Sequence, residues 1–283
     1  MAIIVKIQGG LGNQLFQFAF GESLGRQLQQ VVLYDLTSYN CRSRKIGLNQ
    51  FNINLSSASD KIIDQFFTFK NRVLNKYLYN SNLNTKLVHF ENQKIYYNVP
   101  VNLNGNSYYS GYWQSEKYFS QFQAHLRVQL TLKVSLKICS LLSIVKQSNT
   151  VAIHFRRGDY LEPHVLKLHG LLGLKYYLQA IKLMLSKIPD ALFVVFSNDP
   201  LWVESQLVLP CNWIHADLNK VYTDEETLIV MSLCKHQIIA NSTYSWWAAW
   251  LNTNPNKEVI APKNWFVNSI ENQSPILNTW LAT

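Results

Sequence analysis

The chain has 283 residues, 48% hydrophobic and 13% aromatic, with 26 lysines and arginines against 17 acids for a formal net charge of +9. That length and apolar content exclude a disordered chain and allow either one large α/β domain or two lobes of roughly 140 residues with a cleft between them, the arrangement expected here. The charge suits an anionic partner: nucleic acid, an acidic membrane or a phosphorylated small molecule. Lys and Arg come only in twos and threes, as at Arg42, Arg44 and Lys45 or at Arg156 and Arg157. They never form the dense run or stripe of a nucleic-acid-binding surface, so that alternative has little support.

The N-terminal Ala2 to Ile7 run is too short for a signal sequence, and no later stretch offers about 18 uncharged apolar residues. A soluble, cytoplasmic protein without a transmembrane segment is expected, with peripheral contact at a membrane left open. Cys41, Cys139, Cys211 and Cys234 show neither CxxC nor a zinc spacing and read as buried reduced thiols.

In chain order, Ile3 to Ile7 reads as a strand and Gly9 to Asn13 as a turn. A helix then carries Leu15, Phe18, Ala19, Glu22 and Leu24, and Val31 to Asp35 is a second buried strand, a βαβ opening. Residues 37–106 have no clean alternation, with a helical stretch at Lys61 to Phe69. A strand at Ser107 to Trp113 follows, then strand-like alternation through Leu126, Val128, Leu130 and Leu132, and a helical run to Lys146. A junction near Gln147-Ser148-Asn149 divides lobes 1–147 and 148–283. Beyond it strands at Val151 to Phe155, Leu192 to Phe196, Trp213 to His215, Gln237 to Ala240 and Val259 to Ala261 alternate with helices. Those helices span Leu174 to Lys187, Leu201 to Leu207, Glu225 to His236 and Tyr244 to Leu251. The pattern predicts a doubly wound parallel sheet with ligands at the carboxyl ends of its strands.

Three strand ends carry candidate chemistry. In His154-Phe155-Arg156-Arg157-Gly158-Asp159, alternation places Arg156 on the side of His154. A guanidinium there can grip a diphosphate bidentately, or the arginines can pair with Asp159 and other carboxylates as a surface ion-pair cluster. In Ser197-Asn198-Asp199-Pro200, the Asp199 carboxylate can accept from the N1–H and exocyclic amine of guanine, or Asp199 or Asn198 can cap the next helix. Asn241-Ser242-Thr243-Tyr244-Ser245 leads into a helix whose free amides and hydroxyls suit an anion; a plain helix cap above core tryptophans is the alternative. Gly9-Gly10-Leu11-Gly12-Asn13-Gln14, with Asp35 closing the next strand, resembles an NAD or FAD fingerprint. Leu15, however, stands where that fingerprint needs a small residue. No Asp-x-Asp is present.

Five collinear segments together resemble the bacterial α-1,2-fucosyltransferases, glycosyltransferase family 11. They are 9 to 19 (GGLGNQLFQFA), 111 to 119 (GYWQSEKYF), 154 to 160 (HFRRGDY), 197 to 199 (SND) and 241 to 251 (NSTYSWWAAWL). Similarity to protein O-fucosyltransferases and α-1,6-fucosyltransferases is more distant. The resemblance implies a two-lobed glycosyltransferase B-type fold with Rossmann-like lobes, residues 1–147 on the acceptor side and 148–283 binding the donor. It implies inverting transfer of L-fucose from GDP-β-L-fucose to the 2-hydroxyl of a β-galactoside, with no metal and no cofactor beyond that donor substrate. It also implies that Arg156, with Arg157 beside it, binds the donor phosphates and that Asp199, next to Ser197, meets guanine. Ser242, Thr243, Tyr244 and Ser245 would line the phosphate site, and Gly10, Gly12 and Asn13 would approach the reacting centre. The base that takes the acceptor proton stays open among Asp159, Asp217, Glu116 and His154. Trp113, Gln114 and the tyrosines of the first lobe offer either an acceptor platform or core packing.

Overall fold

The buried apolar runs read from the sequence become two parallel sheets in the computed structural model, which describes residues 2–40, 45–67, 88–91, 106–137, 140–147, 149–216, 222–267 and 274–283. Cys41, Cys139, Asp217 and the end of the 61–69 stretch lie outside the described residues. The chain divides into two compact units, Met1–Lys133 and Val134–Thr283.

In the first unit β1 (Ala2–Lys6) lies between β2 (Val31–Asp35) and β4 (Ser107–Ser110), with β3 (Val88–Phe90) outermost, in the order β2-β1-β4-β3 and all parallel. The β1–β2 crossover is α1 (Leu11–Leu28), which buries Leu15, Phe16, Phe18, Ala19 and Leu24 but also Gln14 and Gln17. Both glutamines have backbone work. Gln17 accepts from the Gln8 amide (2.9 Å) and donates to the Gly111 carbonyl (2.9 Å), joining the segment after β1 to the segment after β4. A short helix, α2 (Asp60–Asp64), packs Ile63 against this sheet.

In the second unit β5 (Thr150–Phe155) is central, and all six of its residues are buried. It pairs with β6 (Leu192–Ser197) on one side and β8 (His236–Ile238) on the other. With β7 (Trp213–His215), β9 (Val259–Ala261) and β10 (Leu281–Ala282), the order is β10-β9-β8-β5-β6-β7, again all parallel. Tyr176, Tyr177, Ala180, Ile181 and Met184 cover one face as a stripe at helical spacing. The remaining helices, α3 (Gln123–Gln129) in the first unit and α4 (Ser140–Gln147), α5 (Pro163–His169), α6 (Leu174–Lys187), α7 (Pro200–Gln206), α8 (Asp224–Leu233) and α9 (Thr243–Leu251) in the second, complete the alternation.

Four readings change. The 126–132 alternation belongs to a helix, α3, followed by a turn: Val128 is 72% exposed, so no sheet face called for the apolar spacing. The strand from Ser107 stops at Ser110 because Glu91 takes over the next amides: its carboxylate accepts from the Tyr112 amide (2.6 Å) and the Trp113 amide (3.0 Å), and Trp113 turns to φ 53. The unit boundary falls at Lys133, ahead of the junction read at 147, because α4 buries Leu142 and Val145 and packs on α8. Strands β3 and β10 and helix α5 are too short to show a period.

In each unit the chain first builds outward on one side of its initial strand, β1 then β2, or β5, β6, β7. It then returns on the other side. Those reversals, between β1 and β4 and between β5 and β8, leave a crevice at the carboxyl end of an open parallel sheet, where such folds bind ligands. Gln17→Leu should cost the first unit about 2 kcal/mol or more, because the Gln8 amide and the Gly111 carbonyl lose their partner away from water. Urea unfolding of the full chain measures this, and an unchanged midpoint would show that the link carries no stability.

Candidate functional site

The second switch point is built by the loops after β5, β6 and β8. After β5 the two arginines part. Arg156 Nη2 lies 2.6 Å from Asp159 Oδ1, whereas Arg157 Nε lies 3.1 Å from Asp199 Oδ2 on the loop after β6. All four side chains are about a quarter exposed, buried enough to resist screening and open enough to be reached. The Arg157 guanidinium also stacks over Trp202, 4.2 Å from its centroid, and that of Arg156 lies 5.5 Å from the Tyr160 ring. Arg156 Nε is buried with no hydrogen-bond acceptor among the described residues. An unsatisfied charged donor at a strand end is an invitation to an anion. Beside the arginines a recess of about 370 Å³ is walled by Phe155, Tyr177 and Trp202.

Asn198 ties the first two loops together. Its Oδ1 accepts from the Arg157 amide (2.8 Å), and its Nδ2 approaches Asp159 Oδ1 at 3.5 Å. Gly158, at φ +28, has to be glycine, since a Cβ there would strike the Asn198 amide. Ser197 Oγ accepts from the Asp199 amide (3.0 Å), and Asp199 caps α7 by accepting from the Trp202 amide (3.2 Å). Both Asp199 oxygens therefore have a protein partner, and each retains a second lone pair for a ligand. Ion pairing and capping, the plainer readings of these motifs, are both realised.

Tyr160 ties in the third loop. Its hydroxyl donates to the Asn241 carbonyl (2.8 Å), and burial first, with Asp159 adding to it, pushes its pKa up to about 12, so it remains a donor. The Ser242 hydroxyl bonds to the same group. Ser242 is the N-cap residue of α9, whose first-turn amides have no intrahelical acceptor. Ser245 is fully buried and donates to the Ala240 and Ser242 carbonyls, so its hydroxyl shapes the turn. The Tyr244 hydroxyl donates to the Asp224 carbonyl (2.6 Å), and Thr243 is half-buried beside it. Trp246, Trp247 and Trp250 are core.

His154, a candidate base by residue type, is corrected by burial. It is 3% exposed, and desolvation first, then the Arg156 charge, lower its pKa to about 3. A buried imidazole so weakly basic supports the sheet and does not meet substrate. Asp159 is held by Arg156 and Asn198. Glu116, in the first unit, accepts from Gln123 Nε2 (3.0 Å).

In the first unit, Gly10 is the N-cap residue of α1 and Gly12 is buried in its first turn. Gly9, at φ +84, leaves its Cα bare beneath the Asn13 side chain, where a Cβ would lie 2.8 Å from Nδ2. Gln114 Nε2 donates to Asn13 Oδ1 (2.9 Å), which joins the loops after β1 and β4 at that switch point. The dinucleotide reading fails at Asp35. It is 2% exposed, with one oxygen taken by Thr37 and the other by the Tyr108 hydroxyl, leaving none for a ribose. Trp113 is likewise removed from any binding face, stacked 4.2 Å from Phe20 in the core.

Sequence reasoning missed Tyr160, Trp202, Tyr177 and Glu91 as site-building residues and took Asn198 only as a cap. Asn198 and Tyr160 adjoin motif residues, which was the available signal; the others depend on contacts distant in sequence. Among the described residues no group of three or more His, Cys, Asp or Glu is placed to hold a metal ion, and no helix is long and apolar enough to cross a membrane. Cys211 and Cys234 are free thiols whose pKa values burial raises to about 11 and about 12.

Two Rossmann-like parallel α/β units, each with a polar site at its switch point, define a glycosyltransferase of the B-type fold. A mutant of Arabidopsis thaliana FUT1, solved in complex with GDP, shares that fold with a TM-score of 0.50 at 11% identity, covering 93% of this chain and 71% of that one. The family model for Glycosyl transferase family 11 matches residues 48–283, and the chain belongs to that family. An alpha-1,2-colitosyltransferase of Escherichia coli is 30% identical over 274 residues, 93% of this chain and 92% of that protein. The O-antigen biosynthesis glycosyltransferase WbnK of Escherichia coli is 32% identical over 298 residues, 97% and 98% of the two chains.

The lowered pKa of His154 makes stability depend on pH. Above the unfolded value of 6.5 both states are neutral; as pH falls toward 3 only the unfolded chain takes up the proton, so stability is lost. At pH 4.5 the loss from this residue should reach about 2–3 kcal/mol. In urea unfolding, His154→Asn should show a smaller drop between pH 7 and pH 4.5 than the unsubstituted protein. Equal drops would mean that the imidazole is not desolvated.

Proposed function

We propose that this family 11 enzyme moves L-fucose from GDP-β-L-fucose to the 2-hydroxyl of a β-galactoside, with inversion and without a divalent cation. The observation that carries the reading is the convergence, at the carboxyl ends of β8, β5 and β6, of two arginines, a capping aspartate and an open helix start. In this reading the second unit binds the donor. Arg156 takes the phosphates with its remaining N–H groups, Asp199 accepts from the guanine edge, and Ser242 with the first-turn amides of α9 receives phosphate oxygens. The first unit serves the acceptor, with Asn13, held by Gln114, turned to the reacting centre.

The step is a single displacement. The acceptor oxygen bonds to the fucose anomeric carbon as the bond to the β-phosphate oxygen breaks; the acceptor proton passes to a base and GDP leaves. Negative charge gathers on the departing phosphate, and a preorganised guanidinium there lowers the barrier more than it tightens ground-state binding. Fixed cationic charge also does the work that a bound cation performs in other transferases. A colitosyl donor is the second reading, favoured by the 30% identity to the alpha-1,2-colitosyltransferase along nearly the whole chain.

Thermal unfolding should shift upward with GDP and not with NAD, and labelled fucose should pass from GDP-fucose to β-galactosides in EDTA. Stabilisation by NAD alone would sink the reading, loss of transfer in EDTA would remove its metal-free part, and transfer from the colitosyl donor only would select the second reading. Arg156→Ala should lower turnover on the order of a hundredfold or more while the chain stays folded by circular dichroism. A folded variant with near-normal turnover would remove Arg156 from the mechanism.

A further inference from the structure

The exposed apolar side chains of this protein are unevenly placed. Among the described residues twelve large hydrophobics are exposed, and five of them, Leu161, Leu166, Leu168, Leu174 and Leu178, fall within 18 residues of chain. Singly exposed leucines are ordinary; five in one segment are not. They occupy the turn after β5, helix α5 and the outer side of α6. Helix α5 buries none of its residues. On α6 the buried stripe is Tyr176, Tyr177, Ala180, Ile181 and Met184, so Leu174, Lys175, Leu178 and Lys182 share the solvent side. Leu174 also lines the recess beside Arg156 and Arg157, so this surface adjoins the candidate site within the same unit.

Charge says what covers it. From Pro163 to Pro189 the chain has no Asp or Glu and four lysines, Lys167, Lys175, Lys182 and Lys187. Lys187 pairs with Glu258, 3.2 Å away; Lys167, Lys175 and Lys182 are exposed among the leucines. Leucines on convex helix faces interleaved with lysines form no groove for a peptide. A second copy meeting this face through the same face would set lysine against lysine. An amphipathic surface of leucine and lysine without acids matches the boundary between headgroups and acyl chains in an anionic bilayer.

We propose that α5 and the outer stripe of α6 dock the protein on an anionic lipid bilayer. Leu166, Leu168 and Leu178 enter the headgroup boundary and Lys167, Lys175 and Lys182 meet lipid phosphates. Docking in this way sets the arginine recess beside the membrane surface, where a membrane-borne acceptor would be presented.

The test is flotation of the full chain with vesicles of phosphatidylcholine mixed with phosphatidylglycerol, and of phosphatidylcholine alone. The protein should float with the mixed vesicles and not with the neutral ones. Lys167→Gln/Lys175→Gln/Lys182→Gln should weaken partition on the order of a hundredfold, and Leu166→Ser/Leu168→Ser/Leu178→Ser about tenfold or more. Leu168→Glu, a single change on an exposed side chain, reads the same property if the triple variant fails to fold. Failure to float with anionic vesicles would overturn the proposal. So would leucine variants that float as well as the parent, because net charge alone would then explain the attraction. A dimer that the leucine variants convert to monomer, with no vesicle binding, would make the face a contact between copies instead.

Discussion

Everything at the second switch point depends on the neutralisation of two adjacent guanidiniums at the end of a buried strand. Arg156 and Arg157 follow Phe155 directly, in a setting where unpaired charges are costly to desolvate. Alternation sends them apart, and each finds its own carboxylate, Asp159 at 2.6 Å and Asp199 at 3.1 Å. The local charge of the empty site is therefore close to zero. In that state the aspartates hold the arginines in place; once a diphosphate arrives, the same carboxylates become like-charged neighbours of the ligand. Binding must then be an exchange, in which phosphate oxygens take over N–H groups that the protein has kept aimed but not saturated. The acceptor-less Nε of Arg156 marks the donor left over.

The same economy governs the backbone. Parallel sheets bury their strands, so the loops at their carboxyl ends must find partners for their own polar groups. Here side chains from neighbouring loops supply them: Asn198 to the Arg157 amide, Tyr160 to the Asn241 carbonyl, Gln17 to the Gly111 carbonyl and Glu91 to the amides of Tyr112 and Trp113. Each link spans a gap between strands. Together they hold the functional groups on rigid supports, which is what a transferase relying on preorganised charge requires.

Where local chemistry decides conformation, the sequence was a sufficient guide. The β-branched strand runs, the Gly9–Gly10 turn, the Leu174–Lys187 helix and the strand-end motifs stand where the apolar period and the glycines placed them. The candidate site was legible for the same reason, since strand ends in an α/β pattern are known from the pattern alone. Reading failed where a segment's state depends on partners far away. The alternation at 126–132 mimicked a strand although no sheet received it, and β3 and β10 are strands only because β4 and β9 lie beside them.

By itself, then, the sequence determined the alternating fold, the family to which its five motifs belong and the strand end that carries the arginines. These follow from local period and short-range spacing. Tertiary structure alone decided which carboxylate each arginine meets, that His154 is buried and neutral, that Asp35 has no oxygen left for a ribose and that Trp113 is core. It also decided that the leucines of α5 and α6 face outward among lysines. Ion pairing, desolvation and exposure depend on which distant residues the fold brings within a few ångströms, and spacing along one dimension does not encode that.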